Sequence, residues 1–184
     1  MVLLESQKTL LGSPAQDFSL SGIDGNVYSL KSFTEAKALV VIFMCNHCPY
    51  VQAVLSRLNT FSDEFSKKGV QFIGINANDA ENYPEDSFES MKNLPIRFPY
   101  LYDESQEVAK IYGAVCTPDI FVYDSQRKLA YHGRIDDNSK DEALVTKKEL
   151  ADALEKILRG EHIPPEDQKS SRGCSIKWKE RVSH

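Results

Sequence analysis

Residues 38–49 read Ala-Leu-Val-Val-Ile-Phe-Met-Cys-Asn-His-Cys-Pro. The first seven are apolar and rich in β-branched side chains, the pattern of a strand buried on both faces of a sheet. After Pro49, the apolar residues Val51, Val54, Leu55, Leu58, Phe61 and Phe65 recur at helical spacing until Gly69. That period predicts an amphipathic helix of about 18 residues. Val70-Gln-Phe-Ile-Gly-Ile-Asn76 then reads as a second buried strand. A strand-helix-strand unit of this kind implies a parallel pair joined by a right-handed crossover, so the chain is α/β. Cys45 and Cys48 fall where the strand gives way to the helix.

Working outward, Asp17 to Leu20 and Val27 to Leu30 read as short strands around a tight Gly22/Gly25 turn, an N-terminal β-hairpin. Asn78 to Pro99 is polar and proline-punctuated, with one amphipathic stretch at Phe88 to Leu94, and reads as an insertion carrying a helix. Asp103-Glu-Ser-Gln106 resembles a capping box opening a helix that runs through Tyr112 to Gly113. Asp119–Tyr123 and Leu129–Gly133 are two strands at hairpin spacing, and Thr146-Lys-Lys-Glu149 opens a last helix ending at Gly160. The division expected is one domain over 1–160 and a C-terminal tail over 161–184 packing on it. The tail is polar except for Cys174, Ile176 and Trp178.

With 184 residues, 41% of them hydrophobic, the chain can fill one ordinary core. The net charge of −5 contains no long block of one sign, so neither nucleic acid nor an anionic membrane is implied as a partner. The start Met1-Val-Leu-Leu-Glu5 lacks a basic region and a long apolar run, which leads to an expected cytoplasmic location. Four cysteines are too few for a disulfide framework; two in a C-x-x-C point to redox or metal chemistry.

Placed at the head of a helix, the Cys45 sulfur lies near unpaired backbone N–H groups, which favour thiolate over thiol and make it the expected nucleophile. Cys48 follows one helical turn on, within bonding reach. His47, between them, is positioned to stabilise the Cys45 thiolate further. The couple then falls within about −270 to −120 mV, the span of C-x-x-C proteins. A structural zinc site would need two more ligands; His132, His162 and Cys174 are the residues that would have to converge.

In the second half, Val115-Cys-Thr117-Pro118-Asp-Ile-Phe-Val-Tyr-Asp124 together with the C-x-x-C-P resembles the thioredoxin superfamily. The Gly12-Ser-Pro-Ala-Gln-Asp-Phe18 opening and Phe98-Pro-Tyr-Leu-Tyr-Asp103 resemble its redoxin branch, which groups peroxiredoxins with TlpA-like and ResA-like reductases. Cys-Asn-His-Cys-Pro-Tyr and a late Gly-Cys-Ser-Ile-Lys-Trp are similar to bacterial peroxiredoxin-like thioredoxin-family proteins. The resemblance implies a thioredoxin-like fold, a central mixed β-sheet flanked by helices. It also implies a cis peptide at Thr117-Pro118 whose exposed backbone pairs with a substrate chain. The implied activity is thiol-disulfide exchange in which Cys45 attacks and Cys48 resolves, with Thr117 and Pro118 holding the mixed disulfide. No organic cofactor is implied; the partners are protein disulfides or small thiols and a cellular thiol reductant.

Two departures bear on function. Cys45 stands where a peroxiredoxin has its Thr and Val41 where it has its Pro, with Cys48 at the peroxidatic position, which argues against efficient peroxide reduction. Met44 replaces the Trp that precedes the first cysteine in thioredoxins. The rival readings are a thiol peroxidase attacking through Cys48 and a metal-binding protein resembling Sco-type metallochaperones. Cys116 and Cys174 are left over; a folded-back tail would make them a second pair relaying oxidation from Cys45/Cys48.

Overall fold

The computed structural model describes residues 3–180; Met1, Val2 and residues 181–184 lie outside the described residues, so the tail is described up to residue 180. In chain order the strands are β1 (Leu3–Glu5), β2 (Leu20–Gly22), β3 (Val27–Tyr28), β4 (Ala38–Phe43), β5 (Val70–Asn76), β6 (Tyr100–Tyr102), β7 (Cys116–Thr117), β8 (Asp119–Tyr123), β9 (Leu129–Gly133) and β10 (Arg172–Ser175). The α-helices are α1 (Pro49–Ser66), α2 (Phe88–Met91), α3 (Glu107–Tyr112) and α4 (Glu149–Leu158). None is long and apolar enough to cross a membrane among the described residues.

The central sheet is mixed, in the order β3-β2-β6-β5-β4-β8-β9. β4 runs parallel to β5, and β5 to β6, while β8 and β9 add antiparallel on the other side. β4 is buried at every position, as its apolar run requires. Successive side chains of a strand alternate faces, and the core divides accordingly. Ala38, Val40 and Ile42 face a cluster built by α1 and α4, whereas Leu39, Val41 and Phe43 face one built by α3 and the N-terminal segment. α1 buries all six apolar residues of its predicted stripe. Burial contributes about 1.5–3 kcal/mol for each, against about 1 kcal/mol for a good cap, so the helix forms without a side-chain cap.

Several expected elements shift. The hairpin of β2 and β3 joins the central sheet through β6, a three-residue strand that the sequence reading did not include. The third helix starts at Glu107 rather than Asp103: Gln106 adopts φ 64° and its amide donates to Ala77 O and Lys177 O. The last helix starts at Glu149, because Thr146 is tied to Asp137 instead of capping it. Tertiary partners thus took Gln106 and Thr146, while Asp103 still accepts from the Ala109 N–H of α3.

The tail is the largest addition. Its residues 172–175 form β10, the middle strand of a second, three-stranded sheet ordered β1-β10-β7. Gly173 permits this, because a Cβ there would meet Thr117 O at 1.8 Å. Gly173→Ala should cost about 1–3 kcal/mol by overpacking. Urea unfolding should show the lower midpoint, and hydrogen exchange the loss of β10 protection; an unchanged midpoint would mean that β10 is not seated on Thr117.

Candidate active site

β4 ends at Phe43, and the chain then turns through Met44-Cys-Asn-His-Cys48 into α1. Cys48 is the N-cap of that helix, with extended backbone at φ −73° and ψ 117°. The loop is fixed from several sides. Gln52 Nε2 donates to Asn46 O at 2.8 Å, Asn46 Nδ2 donates to Glu85 O at 2.8 Å, and Tyr100 OH donates to Asn46 Oδ1 at 3.0 Å.

All five sequence-predicted site residues occupy this region. The peptide Thr117–Pro118 is cis, as expected. Cys45 Sγ lies 3.5 Å from Thr117 Oγ1, and Cys48 Sγ lies 3.2 Å from Thr117 O. Both cysteines are fully buried. His47 is half-buried, stacks on Tyr83 with centroids 5.4 Å apart, and donates from Nδ1 to Asp86 Oδ2 at 2.5 Å. Its Nδ1 therefore addresses a carboxylate rather than the Cys45 sulfur.

Asp86 is the site residue that sequence reasoning missed. It is fully buried and belongs to the short turn Pro84–Asp86 of the insertion. Its Oδ1 accepts from the backbone N–H of Asn46 and His47 at 2.8 and 3.2 Å, and its Oδ2 also accepts from Asn78 Nδ2 at 2.7 Å. The carboxylate thus holds the cysteine loop from behind.

These surroundings revise which sulfur carries the charge. The hydrogen bond with Cys48, burial and the Asp86 charge all push the Cys45 thiol up. Hydrogen bonds from Cys45, Cys174 and Thr117 bring Cys48 down to about 4. The helix supports the same side, since Cys48 rather than Cys45 is its first flanking residue. The sequence places the thiolate on Cys45, and these shifts run the other way. Reduced protein should show the ultraviolet absorbance of one thiolate at neutral pH, lost as the pH falls through about 4. Cys48→Ser should remove that signal and Cys45→Ser retain it; a thiolate first appearing above about pH 8, as for an ordinary cysteine, would contradict the assignment.

The second-half cysteines also differ from expectation. The tail does fold back, but Cys174 pairs across the sheet with Thr117, and Ser175 with Cys116. Residues directly opposite share a face, so Cys174 joins Thr117 on the side of Cys48, while Cys116 points the other way. Cys174 Sγ is 3.0 Å from Cys48 Sγ; Cys116 Sγ lies near Pro118 O at 3.9 Å and burial pushes its thiol up. The register thus sets Cys48 beside Cys174. The backbone of Thr117 is not exposed for a substrate chain: it is buried under β10.

Among the described residues, the group of potential metal ligands is Cys45, His47 and Asp86, whose ligand atoms lie within 4.8 Å of one another. Both Asp86 oxygens already accept two hydrogen bonds each, which leaves this donor set poorly suited to a cation. The convergence of His132, His162 and Cys174 does not occur. His132 is paired to Asp119 at 2.8 Å on β9, His162 is exposed, and Cys174 contacts Cys48.

A pair of cysteines where a central strand hands over to a helix fits a thioredoxin-fold thiol-disulfide oxidoreductase, and that is the class of this protein. Within the class, the chain belongs to the AhpC/TSA family, whose model matches residues 11–132. It is 24% identical over 153 residues to the thiol-disulfide oxidoreductase ResA of Bacillus thuringiensis subsp. konkukian, covering 83% of this chain and 82% of that one. It is 29% identical over 143 residues to the thiol:disulfide interchange protein DsbE of Tatumella citrea, covering 75% and 71%. A conserved protein of Geobacillus kaustophilus has a solved structure that superposes with a TM-score of 0.91 at 45% identity, covering 97% of each chain.

Proposed function

We propose that Cys48 is the attacking sulfur and Cys45 the resolving one, in a disulfide exchange that needs no organic cofactor. The observation that carries this reading is the unequal setting of the two thiols, Cys48 capping α1 and Cys45 beside the buried Asp86. The Cys48 thiolate attacks a disulfide in a protein or small-molecule partner. The resulting mixed disulfide is resolved when Cys45 displaces the partner thiolate, and a cellular thiol reductant returns the pair to thiols. Thr117 and Pro118 position the pair through the contacts of Thr117 with both sulfurs. His47 and Asp86 are positioning residues that hold the loop. Its cysteine usage suits a reducing compartment such as the cytoplasm.

A partner chain seeking the Thr117 edge must first displace β10. Next to this segment, a cleft of about 400 Å³ borders Pro118, walled by Tyr50, Val54, Arg134, Asp136 and Arg172, and neither active-site cysteine lines it. Incubating reduced protein with oxidised glutathione should consume one disulfide per chain and leave a Cys45–Cys48 bridge on peptide mapping. Retention of all thiols would overturn the proposal.

The thiolate at the head of α1 also favours a second reading, reduction of a hydroperoxide by Cys48. Consumption of hydrogen peroxide with a thiol reductant separates the two, since disulfide exchange alone leaves peroxide untouched.

A further inference from the structure

We infer that Cys174 is a third redox-active cysteine, able to resolve a mixed disulfide on Cys48 and leave an internal Cys48–Cys174 bridge. The inference rests on the proposal that Cys48 attacks.

The two sulfurs are 3.0 Å apart with no bond between them, while a disulfide bond is about 2.05 Å, so bridging asks for a shift of about 1 Å. The contact is built rather than incidental. The antiparallel register sets Cys174 opposite Thr117, the residue whose carbonyl lies 3.2 Å from Cys48 Sγ. Gly173 lets the strand lie flush on that peptide. β10 is held at its other edge by β1, with Leu3 opposite Cys174. The tail strand thus takes the place along Thr117 that a substrate chain would take, and it presents a cysteine to Cys48 there.

The chemistry balances without a further reagent. In the mixed disulfide, Cys48 Sγ is bonded to the partner sulfur. Cys174 gives up its proton and attacks Cys48 Sγ; the Cys48–partner bond breaks, the Cys48–Cys174 bond forms, and the partner leaves as a thiolate that takes the proton. The partner disulfide has been reduced by two electrons, drawn from Cys48 and Cys174. In the resting protein burial and the hydrogen bond with Cys48 push the Cys174 thiol up to about 12. Once Cys48 is held in a disulfide it is no longer anionic and the charge that opposed ionisation is gone, while Lys177 still favours the Cys174 thiolate. Cys45 and Cys174 therefore compete for one sulfur, and the Cys174 product fastens β10 covalently over the Thr117 edge.

The test uses the full chain carrying Cys45→Ser and Cys116→Ser, so that Cys48 and Cys174 are the remaining thiols. The reduced protein is treated with oxidised glutathione, quenched in acid, denatured and mapped. The expected result is loss of both thiols, release of glutathione, and one Cys48–Cys174 peptide pair in a monomeric chain. A stable Cys48–glutathione adduct with Cys174 still a thiol would overturn the inference. Oxidised native-sequence protein provides a second readout that needs no substitution: it should yield the Cys48–Cys174 pair alongside Cys45–Cys48. In Cys174→Ser, a Cys45–Cys48 bridge shows that the underlying reading holds. Should that bridge form while the Cys48–Cys174 pair is missing from both other samples, the third cysteine alone is refuted. Absence of both bridges refutes the two together.

Discussion

Cys48→Ser should abolish disulfide reduction, with a loss on the order of 10³-fold or more in turnover, as expected when a nucleophile is removed. Cys45→Ser should still attack and should accumulate mixed disulfides with its partners, which makes it the trapping form. The reason is quantitative. Each pKa unit that raises Cys45 costs tenfold in thiolate, while the gain in intrinsic nucleophilicity returns only about threefold, for a Brønsted slope of about 0.4–0.5. Cys45, pushed up by its bond to Cys48, by burial and by Asp86, loses that comparison to Cys48, brought down to about 4. A pull-down with each variant followed by non-reducing electrophoresis decides it. Trapping by Cys48→Ser, with Cys45→Ser inert, would return the attacking role to Cys45.

The second large effect concerns Asp86, which takes no part in the exchange. Asp86→Ala should destabilise the protein by about 3–5 kcal/mol, the usual consequence of removing one partner from a buried hydrogen-bonded charge. The backbone N–H groups of Asn46 and His47 and the amide of Asn78 would be left without their acceptor. Asp86→Asn keeps the shape and an oxygen for the two backbone donors, so its stability loss should be smaller. It removes a negative charge that pushes Cys45 up, so the Cys45 thiol should ionise at lower pH. Because Cys45 is a thiol at neutral pH in either case, the change shows in the alkaline pH dependence of Cys45 alkylation rather than in the neutral-pH potential. Alkylation against pH and urea unfolding read the two effects separately. An unmoved alkylation profile in Asp86→Asn would show that the carboxylate only supports the loop.

Much of this site was legible because it is local. The apolar run 38–43, the C-x-x-C and the six-residue stripe of α1 are adjacent in sequence, and the strands at 70–76, 119–123 and 129–133 stand where their patterns put them. Thr117 and Pro118 were found because their motif is compact. Asp86 was not, since it lies 39 residues from His47 in a polar stretch with no period, and nothing local distinguishes it from its neighbour Glu85. An even number of cysteines pointed to Cys116 as the partner of Cys174, whereas the fold sets Cys48 beside it. The hydrogen bonds that moved the start of α3 come from Gln106 to residue 177, far down the chain.

By itself the sequence determined the α/β class, the junction at which a sulfur meets a helix, and the residues available for redox work, because periodicity, β-branching and helix ends are short-range properties. Only the tertiary structure decided what surrounds each sulfur. That depends on strand register and on a buried carboxylate brought in from another segment. In an antiparallel pair a shift of one residue turns a side chain to the opposite face, so the choice between Cys116 and Cys174 beside Cys48 was settled by the pairing of β7 with β10.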